Sequence, residues 1–114
     1  MISTNLITRD SAGSVTYSIA PPAIIRDTTL SADVAQNFTV PSDFPYYQVN
    51  FSFDPGLRVF VSYDGSAANI PGASFASTNS ELLPASRTVE GGTIISFITP
   101  DTEAYVQASL YGIR

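Results

Sequence analysis

The chain has 114 residues, enough for one domain, and it contains no Cys and no His. Ten carboxylates face five basic residues, all of them arginine (Arg9, Arg26, Arg58, Arg87 and Arg114), for a net charge of −5. These absences exclude disulfides, zinc–thiolate centres, a thiol nucleophile, an imidazole base and lysine Schiff-base chemistry, while five scattered arginines give no cationic patch for nucleic acid or an anionic membrane surface.

The first residues, Met1 to Gly13, mix Ile2, Leu6 and Ile7 with polar residues and end on Ser11-Ala12-Gly13. That pattern suits an N-terminal arm over 1–13 that orders on a partner, or an ordinary first strand of the fold. Met1 is followed by no basic region and no apolar run of signal length, and no stretch approaches the ~20 apolar residues of a membrane-spanning helix. The chain is expected to stay in the cytosol unless it leaves inside a larger particle. Val15, Tyr17 and Ile19 then alternate with Ser14, Thr16 and Ser18, a strand pattern, before Pro21-Pro22 separates this region from the rest.

Val34, Phe38 and Val40 mark the next strand, closed by Pro41-Ser42-Asp43-Phe44-Pro45. From Tyr47 to Asp54 apolar and polar residues alternate without a fault, the period of a half-buried strand. Asp54-Pro55-Gly56 fits a type II turn, with Pro and Gly at its two central positions. Type II turns match hairpin twist poorly, so this link suits an arch between two sheets. Leu57, Val59, Val61 and Tyr63 resume the alternation, with Phe60 as an aromatic on the nominally polar side. Gly65 to Ser80 has no periodicity, and a loop of that length is often functional or held by a partner. Thr78-Asn79-Ser80-Glu81 has the spacing of a capping box, although Pro84 limits any helix to about one turn. Thr93 to Thr99 is rich in β-branched residues, Thr99-Pro100-Asp101-Thr102 suits a turn, and Ala104, Val106, Ala108 and Leu110 alternate with polar or tyrosine positions. Strands at this spacing predict an all-β single domain over 1–114, an antiparallel β-sandwich with a jelly-roll-like arrangement. Its core is expected to include Val49, Phe51, Phe53, Val59, Val61, Ile95, Phe97 and Val106.

Paired carboxylates are the acid–base chemistry left open, with Asp54, Asp64, Glu81 and Glu90 as candidates, yet all four fall at strand ends or in loops, where carboxylates serve as turn residues. Asp64-Gly65-Ser66 and Asp101-Thr102-Glu103 hold oxygen ligands but lack the spacing of a calcium loop. Gly91-Gly92 is followed by no helix that would aim N–H groups at a phosphate, so it reads as a turn. No catalytic residue, cofactor site or metal site is assigned. Phe44, Tyr46, Phe60 and Phe75 fall outside the strand alternation and, with Ile2, Leu6 and Ile7, are the candidate interface residues.

The surface is sparse in charge: between Thr28 and Leu57 only Asp33, Asp43 and Asp54 are ionisable acids, and no base is present. Edge strands are usually protected by lysine, inward charge or proline, so edges hidden by neighbouring subunits are expected. From about Phe38 to Tyr111 the chain resembles small virion proteins of tailed bacteriophages. The residues carrying the resemblance are Val59-Phe60-Val61-Ser62-Tyr63-Asp64-Gly65, an Ala/Ser-rich loop with Pro71, Ser80-Glu81-Leu82-Leu83-Pro84-Ala85-Ser86-Arg87, Ile95-Ser96-Phe97-Ile98, and Ala104-Tyr105-Val106 onward to Tyr111. The resemblance implies a non-enzymatic capsid decoration or cement protein, located in the virion, with itself and the major capsid protein or another virion protein as partners. A homo-oligomer, with a trimer as first expectation, suits the threefold positions of a capsid lattice. A tail or fibre component and a small carbohydrate-binding module are the alternatives.

Overall fold

A computed structural model describes residues 5–9, 15–19, 24–72, 75 and 77–113, the first two segments as backbone only. Among the described residues ten strands run in order: β1 (Asn5–Arg9), β2 (Val15–Ile19), β3 (Ile24–Ser31), β4 (Gln36–Thr39), β5 (Tyr46–Phe53), β6 (Phe60–Ser62), β7 (Glu81–Leu82), β8 (Ser86–Glu90), β9 (Ile94–Ile98) and β10 (Glu103–Ile113). The described residues contain no helix, and Thr78–Glu81 leads into β7 instead of capping one. The Thr78 hydroxyl accepts from the Ser80 N–H at 3.2 Å, a local turn that competes with helix initiation.

β3, β10, β5 and β8 form one antiparallel sheet in that order, and β4, β9, β6 and β7 form a second. Strand period places the core between them. Tyr47, Val49 and Phe51 of β5 and Ala104, Val106, Ala108 and Leu110 of β10 are buried on one sheet, facing Val59, Val61, Ile95 and Phe97 of the other. Phe51 meets Phe97 edge-on across the sheets, with ring centroids 6.0 Å apart. All eight residues expected in the core belong to it or, for Phe53, pack half-buried against it.

From β3 onward connections alternate between the two sheets of the sandwich, except that β6 and β7 are neighbours in the same one. Asp54-Pro55-Gly56 makes the arch its turn type implied: Gly56 has φ +79° and the Leu57 N–H points to the Asp54 carbonyl at 3.5 Å. The arch interlocks with the β9–β10 turn, because Asp101 accepts the Arg58 backbone N–H at 2.7 Å and the Thr99 hydroxyl donates to the Arg58 carbonyl at 2.6 Å. Gly91-Gly92 is a turn packed on the β4–β5 link. A Cβ at Gly91 would fall on the Phe44 carbonyl oxygen, and Gly92 takes φ +88°. Among the described residues β1 and β2 pair only with each other and belong to neither sheet of the sandwich.

Because Phe51 touches Phe53, Tyr63 and Phe97, truncating it empties the contact between the sheets. Phe51→Ala should lower unfolding free energy by about 3–5 kcal/mol in urea titrations followed by circular dichroism. A loss below about 1 kcal/mol would mean that the sheets do not depend on this ring.

Candidate functional site

The sandwich has two lateral flanks, and they are built differently. On one flank the edge strands β7 and β8 are tied together across the sheets. Arg87 Nε donates to both carboxylate oxygens of Glu81 at 3.0 and 3.1 Å, and a guanidinium NH2 completes a bidentate pair. Hydrogen bonding to Arg87 holds the Glu81 carboxyl below its usual range. Burial, together with the nearby Glu81 carboxylate, pushes the Tyr63 phenol up.

The other flank, between β3 and β4, stays open. Register fixes which β3 residues face inward: Leu30, Thr28, Arg26 and Ile24 lie opposite the inward Ala104, Val106, Ala108 and Leu110 of β10. Two of those four inward positions are therefore polar. On β4 the inward positions are Gln36 and Phe38. The result is a cleft of about 260 Å³ walled by Arg26, Asp27, Thr28, Gln36 and Asn37, with Phe38, Phe97 and Val106 in its lining. Phe38 stacks on Phe97 with centroids 6.0 Å apart, so the core's aromatic cluster runs out to this surface. Among the described residues only Thr28, donating to Gln36 at 3.1 Å, and Gln36, reaching the Thr29 carbonyl at 3.5 Å, bridge the flank by side-chain hydrogen bonds. Among the same residues the Arg26 guanidinium has no hydrogen-bonding or ionic partner.

The outer faces differ as well. On the second sheet residues 63–70 fold back as a cover. Ala68 donates to the Ser96 hydroxyl at 3.0 Å, the Ser62 hydroxyl donates to the Ser66 carbonyl at 2.8 Å, and Ala68 and Ile70 pack on Phe60 and Ile98. Asn79 ties the base of this loop by donating to Asp64 and to the Ala67 carbonyl at 3.2 and 3.3 Å. The first sheet presents an amide and hydroxyl network, with Ser86 donating to Asn50 at 2.7 Å and Tyr105 to Asp27 at 2.8 Å.

The expected interface residues do not form one patch. Phe44 is buried and meets Tyr47 edge-on at 5.9 Å, and Phe60 is buried beneath the loop, so both pack inside their own chain. The aromatic at Phe60 broke the alternation because its outer sheet face is covered too. Tyr46 is half exposed on the first sheet, and Phe75 is fully exposed with φ +56° at the far part of the loop. Leu6 and Ile7 lie in β1, where only the backbone is described, and Ile2 lies outside the described residues. The carboxylates stand apart and serve turns. Asp54 accepts the Tyr105 N–H at 2.9 Å, Asp64 accepts the Ser66 N–H at 3.0 Å, Glu81 holds Arg87, and Glu90 is exposed at the end of β8. Among the described residues no three acidic side chains converge as metal ligands would. The β3–β4 cleft went unexpected, and its signal was the polar pair Arg26 and Thr28 at inward positions of a strand.

No family model, curated protein or solved structure matches the chain.

The Glu81 carboxyl is shifted down in the folded chain, so the pair contributes fully above the unfolded value and fades as pH falls through the folded one. The melting-temperature gap between the native chain and Glu81→Gln should hold from about pH 7 to about pH 5 and close below about pH 4. A gap that widens on acidification would show that the pair does not tie this flank.

Proposed function

We propose that the chain is a non-enzymatic virion structural protein of a tailed bacteriophage, a capsid decoration or cement protein that binds the assembled shell and stabilises it. The observation that carries this reading is the wiring of the sandwich. Counted from β3, its eight strands lie in the order first, eighth, third, sixth in one sheet and second, seventh, fourth, fifth in the other. That order supports the jelly-roll arrangement expected from the sequence, an architecture recurrent in viral capsid domains and also in lectins and cupins. Fold alone does not fix function. The sequence resemblance to phage virion proteins from Phe38 to Tyr111 selects among those uses, and the carboxylates engaged in turns and in the flank ion pair favour a structural role over an acid–base one.

The mechanism follows from linkage. A protein that binds assembled shell and not its separate subunits shifts the equilibrium toward the shell, and many weak copies add up. The sparse charge and the exposed Ile25, Val34 and Leu82 suit contact with neighbouring subunits. The partners in this reading are other copies, as a trimer, and the major capsid protein, and the location is the virion.

Shells from the phage that encodes the chain, prepared without it, provide the test. Added protein should sediment with the shells and raise the temperature at which they come apart. Retention on purified tails and not on shells would replace cement by a tail role. Binding to a glycan array with no retention on either particle would replace it by a carbohydrate-binding module.

A further inference from the structure

The β1–β2 ribbon is amphipathic by register. Asn5 pairs with Ile19, Ile7 with Tyr17 and Arg9 with Val15, alternating with Leu6 opposite Ser18 and Thr8 opposite Thr16. Directly opposed residues share a face, and successive pairs take opposite faces. One face therefore holds Ile7, Val15, Tyr17 and Ile19 between Asn5 and Arg9, while the other holds Leu6 among Thr8, Thr16 and Ser18. The ribbon joins neither sheet of the sandwich. A two-stranded hairpin alone is marginal in water, and a third strand or a packed layer is needed to cover its apolar face.

Among the described residues the sandwich offers one matching vacancy. The β7–β8 flank is closed by the Glu81–Arg87 pair, and the outer face of the second sheet is covered by Ala68 and Ile70. The β3–β4 flank keeps the unpaired edge of an eight-residue strand, an aromatic floor at Phe38 and Phe97, and polar walls at Arg26, Thr28 and Gln36. Neither edge strand carries lysine or proline, the residues that usually block pairing there.

We infer that the apolar face of the β1–β2 ribbon of one copy seats on the open β3–β4 flank of a second copy. The intervening sequence favours the second copy over the ribbon's own flank. The sequence between β2 and β3 is Ala20-Pro21-Pro22-Ala23, and a residue before a proline is biased toward extended conformations. A Pro-Pro sequence of that kind favours a stiff spacer over the tight reversal that would lay β2 along its own β3. An exchanged ribbon covers its own apolar face and its neighbour's edge in one contact. The inference deepens the assembly reading and rests on it for the presence of more than one copy.

Cysteine cross-linking in the full chain tests it, because the native sequence has no cysteine to confuse the result. Tyr17→Cys and Asn37→Cys proteins, one on the ribbon's apolar face and one lining the cleft, are mixed and mildly oxidised. The expected product is a disulfide-linked heterodimer in clear excess over either homodimer. Tyr17→Asp should shift the sedimenting species from oligomer to monomer while leaving the melting temperature of the sandwich unchanged. A native chain that sediments only as monomer at tens of micromolar would overturn the inference. So would a disulfide that forms only within one doubly substituted chain at high dilution, or an oligomer that gives no cross-link. Loss of shell binding with the cross-link intact would sink the cement reading and leave this contact standing.

Discussion

The ring of Phe97 packs edge-on against Phe51 of the opposite sheet and flat against Phe38 of the neighbouring strand, with centroids 6.0 Å apart in both cases. Around that contact the inward residues of β5, β6, β9 and β10 close into one buried cluster. Phe97 and Phe38 also line the cleft, so the aromatic cluster that holds the sheets together reaches the surface at one place. The position of that opening follows from polar side chains at Arg26, Thr28 and Gln36, which occupy inward positions without filling them as leucines would.

A sandwich must do something with four edge strands. Here two edges are tied across the sheets by Glu81 and Arg87, and β7 is only two residues long, too short to template another strand. The remaining two are joined through Gln36 at one end. In a chain without lysine this asymmetry supports the proposal that the β3–β4 side meets a partner. The ribbon ahead of β3 is the complementary observation: among the described residues it pairs with neither sheet, and the sandwich keeps an unpaired β3 edge.

Much of the fold was legible in the sequence because period 2 survives wherever one sheet face is buried and the other is polar. Tyr47–Asp54 and Ala104–Leu110 became β5 and β10, and the misfit between a type II turn and hairpin twist gave the arch at Asp54-Pro55-Gly56. β3 was not legible. With Ile24, Arg26, Thr28 and Leu30 facing inward and Ile25 outward, the cleft itself erased the alternation. β8 carries one inward apolar residue, Val89, too few to register as a pattern. Phe60 and Phe44 read as surface aromatics because strand period cannot foresee a loop folded over an outer face or a glycine turn packed on a link. The spacing at Thr78–Glu81 resembled a helix cap, but Glu81 is held by Arg87, a partner six residues on in the sequence and outside the span that the capping rule reads.

Hydrogen exchange read by mass spectrometry, across a range of protein concentrations, addresses the β3–β4 flank most directly. If this flank is the contact between copies, amides of Ile24–Ser31 and Gln36–Thr39 gain protection as concentration rises, while Glu81–Leu82 and Ser86–Glu90 exchange at unchanged rates. Protection that is independent of concentration on both flanks, or that grows at β7 and β8 instead, would contradict the account.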